Sequence, residues 1–173
     1  MVDISIRAAL TADFDRARPV LEAAYAEYES QFPAANWVPY LADILHIEGR
    51  AEDSDLLIAE LDGAIVACVS LYPPGAKMAY PSPTFSEQWP ADWSAFRLLA
   101  VDPATRGSGV GRLLTEACIE RARTQGAKAV GLHTTAPMAV ARSMYERMGF
   151  ERAPRYDFFP MPELVVEAYR LPL

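Results

Sequence analysis

Cysteines and long hydrophobic runs are scarce in this sequence. Its 173 residues include two cysteines, Cys68 and Cys118, which lie in apolar segments and form no Cys-x-x-Cys motif. We therefore expect neither a disulfide framework nor a metal site. No hydrophobic segment approaches the length of a membrane span, and no basic region followed by an apolar stretch opens the sequence. This pattern predicts a cytoplasmic protein without a membrane partner.

Positive charge is also in short supply. Sixteen Lys and Arg residues stand against 23 Asp and Glu residues, which gives a formal net charge of -7. A nucleic-acid partner is not expected, because binding a phosphate backbone requires a surplus of Lys and Arg. The acidic balance suits a cationic acceptor, and it also serves ordinary solubility. With 51% hydrophobic residues, the chain has enough apolar material for a single domain over residues 1–173.

The first half of the sequence is typical of a strand, two helices and a β-hairpin. The Asp62-Gly63 pair between two apolar runs predicts a tight turn that joins antiparallel strands. A Pro-rich connection follows, too long for a turn of that kind. In order, the predicted elements are a strand at 2–8, helices at 11–30 and 38–49, strands at 55–60 and 64–71, and a loop at 73–90.

The second half alternates between strands and helices. Strands are predicted at 93–101 and 129–134, helices at 110–125 and 137–148, and closing strands at 150–159 and 165–171. A strand, a helix and a strand in succession over residues 93–134 imply a parallel crossover unit. The predicted fold class is α/β (α+β), with a mixed, mostly antiparallel central sheet of about six to seven strands flanked by about four helices.

Three alternating glycines mark the passage from strand 93–101 into the following helix. Gly107, Gly109 and Gly111 allow the backbone N–H groups of this segment to turn toward one point. These groups lie at the positive end of the helix dipole, where a phosphate or pyrophosphate is stabilised. Arg106 and Arg112 flank the segment and are candidates for charge-assisted contacts with the anion. We refer to residues 106–112 as the glycine turn.

Two other interpretations of the glycine turn do not fit its spacing. A P-loop requires Lys and Ser or Thr after the last glycine, whereas Arg112 follows Gly111. A dinucleotide fingerprint requires Gly-x-Gly-x-x-Gly and an acidic residue after the next strand, which here ends in His133-Thr134. Both are excluded. The remaining alternative is a plain turn in which Ser108 caps the helix.

Two segments of the second half form a combined motif. The first is Leu99-Ala100-Val101-Asp102-Pro103 followed by Arg106-x-x-Gly109-x-Gly111, and the second is Ala141-Arg142-Ser143-Met144-Tyr145-Glu146-Arg147-Met148-Gly149-Phe150. Together they resemble the GNAT superfamily of acyl-CoA N-acyltransferases, most specifically over residues 93–151. The resemblance implies an acetyl-CoA-dependent N-acetyltransferase that transfers the acetyl group directly to a primary amine of a small molecule or peptide.

The resemblance also implies a cofactor site without a metal. In such a site the glycine turn binds the pyrophosphate of acetyl-CoA, and the pantetheine arm lies along the 99–101 edge like an added strand. Backbone N–H groups near Leu99 or Ala100 are then placed to polarise the thioester oxygen. The implied cofactor-binding residues are Leu99, Ala100, Val101, Arg106, Gly107, Ser108, Gly109, Val110, Gly111, Arg112, Thr134 and Tyr145.

Tyr145 is the catalytic residue that the resemblance implies. A phenol with an ordinary pKa keeps its proton at neutral pH, so Tyr145 is expected to protonate the departing sulfur. Without the Gly149-Phe150 context, a helix tyrosine packed on the sheet is the simpler interpretation. Thr134 and the neighbouring Thr135 are candidates to supply a polar contact to the cofactor arm, because Met138 stands where members of the family often carry Asn.

The identity of the general base stays open. Some members of the family carry a carboxylate early on the strand that ends in Leu-Ala-Val, whereas residues 93–96 have none and Asp92 lies at their edge. His133 is a candidate base, since histidine titrates near neutral pH, and a structural histidine is the alternative. The missing carboxylate keeps a second function open, that of a non-catalytic acyl-CoA-binding module.

The acceptor is expected to contact segments that a minimal scaffold lacks. These are the 73–90 loop, residues 155–159 and an aromatic corner formed by Tyr25, Tyr28, Phe32, Trp37 and Tyr40. Asp157 and Asp92 are candidates to pair with an ammonium group, with solvated carboxylates as the alternative. Members of the family are often dimers, so the resemblance also implies a homodimer.

Overall fold

The computed structural model describes residues 4–78 and 89–173. Most of the predicted Pro-rich loop, residues 79–88, lies outside the described residues, as do residues 1–3. The chain divides into two compact units, the first formed by residues up to Leu71 with Leu98–Cys118 and the second by Tyr72–Arg97 with Ile119–Leu173. A single domain over residues 1–173 stays a prediction.

The first unit holds three helices and a three-stranded antiparallel ladder. Its elements are β1 (Ile4–Ala8), α1 (Phe14–Tyr25), α2 (Ala34–Leu45), α3 (Ile47–Asp53), β2 (Asp55–Leu61) and nearly all of β3 (Ala64–Tyr72). The predicted hairpin is confirmed: β2 pairs with β3 through Leu61 and Ala64, and Asp62 and Gly63 adopt φ values of 51° and 78°. Positive φ at both positions fits a two-residue hairpin turn, which is why Asp-Gly predicts it.

Two elements contribute to both units, namely β4 (Trp93–Val101) and α4 (Val110–Thr124). In the first unit the strand order is β1-β2-β3, followed by the 98–101 half of β4. Each helix packs its apolar residues inward. In α4, for example, Val110, Leu114 and Cys118 are fully or almost fully buried.

The second unit carries the parallel pairing that the sequence predicts. Its other elements are β5 (Ala129–Thr134), α5 (Ala139–Arg147), β6 (Glu151–Arg152), β7 (Phe158–Met161) and β8 (Leu164–Pro172). The first half of β4 pairs with β5 in parallel, and β8 pairs antiparallel with β5, β6 and β7. The fold class is therefore confirmed as mixed and mostly antiparallel, with eight strands and five α-helices described in place of about six to seven strands and about four helices.

The predicted second helix, at 38–49, is two helices. The backbone leaves helical geometry at His46, which has ψ 70°. The buried guanidinium of Arg50 satisfies the carbonyl groups at the end of α2, since it donates to the oxygens of Asp43, Ile44 and His46. A cation is favoured at a helix C-terminus, so Arg50 stabilises the break.

Two further predicted elements are also divided. The first helix ends as α1 at Tyr25 and continues to Gln31 as a 3-10 helix. The strand predicted at 150–159 is interrupted by a 3-10 turn at Pro154–Tyr156 between β6 and β7, because proline cannot donate a ladder hydrogen bond. Among all helices in residues 4–78 and 89–173, none has the length and apolar character needed to cross a bilayer.

Candidate active site

The glycine turn connects β4 to α4 within the first unit. It follows a 3-10 turn at Pro103–Thr105 that Asp102 caps, since its carboxylate accepts from the N–H of Ala104 (2.9 Å). Gly107 and Gly109 have φ values of 83° and 87°, which L residues rarely adopt. An added Cβ at either position would meet no protein atom within 4 Å. Backbone conformation, and not packing within the protein, therefore requires glycine at these positions.

The start of α4 presents backbone donors at the glycine turn. The N–H of Leu113 donates to the carbonyl of Gly109 (3.1 Å), so the N–H groups of Val110, Gly111 and Arg112 precede the internal hydrogen bonds of the helix. Gly111 is thus the second residue of α4. These donors and the helix dipole together favour an anion at this end of the helix.

Ser108 stabilises the glycine turn from within. Its hydroxyl donates to the carbonyl oxygen of Thr105 (2.7 Å), which lies on the preceding 3-10 turn. The Ser108 N–H also donates to this oxygen at a longer distance (3.3 Å). Ser108 therefore ties the start of the glycine turn back to the preceding segment.

The two arginines of the glycine turn are paired with carboxylates of the chain. Arg106 binds Glu27 through both terminal nitrogens (3.0 and 2.9 Å), and Arg112 binds Glu116 one helical turn along α4 (2.8 Å). Both arginines retain exposed surface, with 41% and 67% of their side chains accessible. Their positive charges are largely balanced, so the backbone N–H groups are the principal anion-attracting feature of the turn.

Strand β4 has an irregular backbone conformation at Leu98, a feature that sequence reasoning missed. Leu98 is buried, yet it has a φ of 54°, a conformation that costs a residue other than glycine roughly 1–2 kcal/mol. The parallel pairing with β5 covers Trp93–Phe96 and stops before this residue. No glycine or asparagine marks the position, so the sequence carries no local signal for it. Leu99, Ala100 and Val101 follow the irregularity.

Tyr145 is held by the end of α5 in the second unit. Gly149 has a φ of 91°, the N–H of Phe150 donates to the carbonyl of Tyr145 (3.0 Å), and the N–H of Gly149 donates to that of Glu146 (3.0 Å). These two bonds define a Schellman motif, in which an apolar contact joins the residues at its two ends. The rings of Phe150 and Tyr145 make that contact, with centroids 5.7 Å apart.

Phe96 completes the surroundings of the Tyr145 ring. The two rings meet edge to face at 5.8 Å, and Tyr145 is 5% exposed. The Gly149-Phe150 pair therefore has a direct physical role, because it ends the helix and fixes the ring of Tyr145 against β4.

The end of β5 places Thr134 and His133 on opposite faces of the sheet. Phe96 is paired with Leu132, so Thr134, two residues further along β5, points to the face on which Phe96 meets Tyr145. Thr134 is 2% exposed, and within the described part of the chain its hydroxyl has no hydrogen-bond partner. A buried hydroxyl of this kind is uncommon and fits a group that binds a ligand.

His133 belongs to an aromatic cluster on the other face. Its ring lies 4.7 Å from that of Trp89 and 5.0 Å from that of Phe158, and its Nε2 donates to the carbonyl oxygen of Tyr156 (2.8 Å). This placement favours the structural interpretation of His133 over the general base.

Asp157, a candidate partner for an ammonium group, is engaged by the chain itself. Its two oxygens accept from Arg152 (2.8 and 2.7 Å), and one also accepts from the N–H of Ala168 (2.7 Å). The hydrogen bonds from Arg152 lower the pKa of Asp157, with burial opposing them. In residues 4–78 and 89–173, no three His, Cys, Asp or Glu side chains form a group that could hold a metal.

The predicted cofactor residues of β4 and the glycine turn lie together in the first unit, whereas Thr134 and Tyr145 lie in the second. A family model described as the acetyltransferase (GNAT) family matches residues 20–150. A solved GNAT acetyltransferase from Brucella melitensis, in complex with acetyl-CoA, is 20% identical with a TM-score of 0.65, covering 100% of this chain and 90% of that one. The fold is thus that of an acetyltransferase. This chain belongs to the acetyltransferase (GNAT) family.

Curated relatives match over shorter segments. A mycothiol acetyltransferase from Kocuria rhizophila is 43% identical over 54 residues, which is 31% of this chain and 18% of that protein. A ribosomal protein bS18-alanine N-acetyltransferase from Salmonella typhimurium is 36% identical over 63 residues, 36% of this chain and 43% of that protein. The matches therefore span less than half the length of these relatives.

Proposed function

We propose that the protein is an acetyl-CoA-dependent N-acetyltransferase that acts on a primary amine of a peptide or small molecule. The observation that carries this proposal is the glycine turn, which presents backbone donors at the N-terminus of α4 in a chain of the GNAT family. A bound pyrophosphate is stabilised there by N–H groups and the helix dipole, which need no surplus of basic residues. The net acidity of the chain is therefore compatible with an anionic cosubstrate.

The remaining predicted cofactor residues are assigned by their chemistry. The pantetheine arm is assigned to the backbone of Leu99–Val101, beyond the irregularity at Leu98. Thr134 is assigned to a polar group of the same cosubstrate, because a bound ligand would satisfy its buried hydroxyl. In this assignment the Thr134 hydroxyl takes the place of the Asn side chain that members of the family often carry where this chain has Met138.

Acetyl-CoA supplies an activated acyl group as a thioester. In the proposed reaction the Tyr145 hydroxyl holds a proton for the sulfur that leaves, and backbone N–H groups near Leu99 or Ala100 face the carbonyl oxygen as charge develops on it. The ring of Tyr145 is held by Phe96 and Phe150, so its hydroxyl is restricted to a narrow range of positions. Restriction of this kind contributes to catalysis, because little orientation entropy is lost in the reaction.

The acceptor is proposed to be a cationic amine. The name of the Salmonella relative specifies the amino group of an alanine in a ribosomal protein, which favours testing peptides with a free N-terminus first. The acidic balance of the chain, 23 acidic against 16 basic residues, is consistent with a positively charged acceptor.

The test is the release of CoA thiol from acetyl-CoA in the presence of an amine panel, with mass spectrometry of the acceptor. The panel contains peptides with a free N-terminus, the same peptides with a blocked N-terminus, and small primary amines. Thiol release with an acetylated product is expected from at least one free amine. Thermal stabilisation by CoA without thiol release from any amine would favour the acyl-CoA-binding module. Absence of stabilisation at millimolar CoA would contradict both functions, since a ligand of the folded state raises its stability.

A further inference from the structure

A bidentate ion pair joins the glycine turn to the end of α1. Nη1 and Nη2 of Arg106 contact Oε2 and Oε1 of Glu27 at 3.0 and 2.9 Å. Nη2 also donates to the carbonyl oxygen of Ala24 (3.2 Å), near the C-terminus of the helix, where a cation is favoured. All of these residues lie in the first unit. The side chain of Arg106 thus attaches the turn to a rigid element distant in sequence.

The backbone N–H groups at the start of the glycine turn make only long hydrogen bonds, so the Ser108 hydroxyl and the side chain of Arg106 are its closer attachments. The N–H of Arg106 reaches the carbonyl oxygen of Pro103 at 3.4 Å, and that of Ser108 reaches Thr105 at 3.3 Å. Both distances exceed the usual N–H···O separation of about 2.9–3.0 Å. Gly107 and Gly109 add conformational freedom, because glycine restricts the backbone least. A side-chain attachment at Arg106 therefore has a clear role in fixing the turn.

Tyr28 holds the carboxylate of Glu27 from another side. Its hydroxyl is hydrogen-bonded to Glu27, and burial, together with the nearby negative charge, raises the pKa of Tyr28 to about 12. The hydrogen bond from Arg106 lowers the pKa of Glu27, so this carboxylate stays ionised at neutral pH. Tyr28 also packs edge to face on Tyr25, with centroids 6.0 Å apart. The aromatic corner, Glu27 and Arg106 thus form one connected network.

We propose that Glu27 is a positioning residue of the cofactor site, holding Arg106 so that the N–H groups of the glycine turn stay oriented for a pyrophosphate. This inference rests on the proposed function, because it assumes that CoA binds at the turn. It gives Arg106 a role different from a direct phosphate contact. The guanidinium of Arg106 directs its charge and two of its donors to Glu27. CoA binding at the turn then depends on the geometry that the Arg106–Glu27 ion pair maintains.

The experiment compares Glu27→Gln with Glu29→Gln, which removes the same charge from an exposed position two residues along the same 3-10 helix. Glu27→Gln is expected to raise the Kd for CoA and the KM for acetyl-CoA by about fivefold, the equivalent of one exposed ion pair, with kcat at saturating acetyl-CoA unchanged. Glu29→Gln is expected to match the wild type.

A second pair of variants tests whether Arg106 acts through Glu27. Arg106→Lys keeps the positive charge but loses the two-pronged geometry, so it is expected to weaken CoA binding as much as Glu27→Gln does. The double variant is expected to be no weaker than either single variant, because both changes remove the same contact. Tighter CoA binding by Glu27→Gln would overturn the proposal, since it would mean that Glu27 competes with the phosphates.

Two other outcomes would also decide the matter. Normal CoA binding by Glu27→Gln with weak binding by Arg106→Lys would overturn the proposal in favour of a direct contact between Arg106 and the phosphates. Failure of the wild-type protein to bind CoA would overturn the proposed function itself. This measurement on the wild type precedes the comparison of variants. The failure of the inference and the failure of the proposed function are therefore distinguishable.

Discussion

The glycine turn and the surroundings of Tyr145 place functional groups by different means. In the proposed phosphate site the functional groups are backbone N–H groups, in a turn whose glycines adopt positive φ. In the proposed catalytic role of Tyr145 the functional group is a side chain, which two aromatic rings and a Schellman motif hold. Backbone donors are available from almost any sequence that adopts the conformation, whereas a phenol at one position has no substitute.

This difference predicts which kinds of substitution impair the function of each region. Substitutions that change side-chain chemistry are expected to impair function severely at Tyr145 and mildly at the arginines of the turn. Changes in backbone freedom are expected to be severe at Gly107 and Gly109.

Tyr145→Phe removes one hydroxyl and keeps the ring contacts with Phe96 and Phe150. We expect kcat to fall by roughly 10²–10⁴-fold, the range for loss of a general acid, with little change in CoA affinity. Steady-state kinetics and calorimetry measure the two quantities.

The matched control is Tyr169→Phe, which removes a buried phenol that donates to Glu146 (2.9 Å). This variant is expected to lose some stability and to keep kcat. Equal turnover by Tyr145→Phe and the wild type would show that Tyr145 is not the acid and that its role is packing alone.

Gly109→Ala tests the backbone side of the contrast. An alanine at φ 87° is strained, and relief of the strain redirects the N–H groups at the start of α4, so we expect CoA affinity to fall by at least about tenfold. Gly126→Ala is the control, because Gly126 lies just beyond the other end of α4 with φ 77° and likewise has no protein atom within 4 Å of an added Cβ. A similar loss of CoA affinity in both variants would show that the phosphate site does not lie at the turn.

Thr134→Val replaces a buried hydroxyl by a methyl group of similar shape. Because the described residues offer this hydroxyl no partner, the free energy of unfolding is expected to stay the same or rise. The KM for acetyl-CoA is expected to rise by about threefold to tenfold, the equivalent of one lost hydrogen bond.

Thr115→Val serves as the stability control, since the buried Thr115 hydroxyl donates to Gly111 (2.8 Å). It is expected to lose about 1 kcal/mol of stability. A loss of the same size in Thr134→Val, with an unchanged KM, would make Thr134 a structural residue.

A smaller effect is expected from the Arg152–Asp157 ion pair of the second unit, and acid unfolding measures it. The pKa of Asp157 is lowered in the folded protein, so its ion pair stabilises the fold above the ordinary carboxyl pKa of about 3.9, and this contribution is lost as pH falls through the lower folded value. Asp157→Asn is expected to reduce stability at pH 7 by about 1–3 kcal/mol and to flatten the acid limb of the stability curve. An unchanged limb would mean that Arg152 and Asp157 contribute little to stability.

Features with local causes were predictable from the sequence. The β2–β3 turn follows from Asp62-Gly63, the glycine turn from alternating glycines before an amphipathic helix, and the end of α5 from Gly149. In each case the backbone adopts a positive φ, and the sequence has at that position a residue type that favours this conformation.

Features that depend on which side chains meet in the folded protein were not predictable. The break between α2 and α3 needs Arg50, the pairing of Asp157 needs Arg152, and the attachment of the turn needs Glu27, which is far from Arg106 in sequence. The strained conformation of Leu98 has no signal in its own side chain, because leucine rarely adopts a positive φ. Charge counts and motif spacing cannot show which carboxylate an arginine will meet.

The central claim is that backbone N–H groups of the glycine turn bind the pyrophosphate of CoA. An NMR titration of the ¹⁵N-labelled protein with CoA tests this most directly, because it reports on each N–H separately. The largest amide shifts are expected at Gly107–Arg112, and these shifts are expected to be lost when pantetheine, which lacks the pyrophosphate, replaces CoA. Saturable CoA binding that leaves these amides unmoved would contradict it.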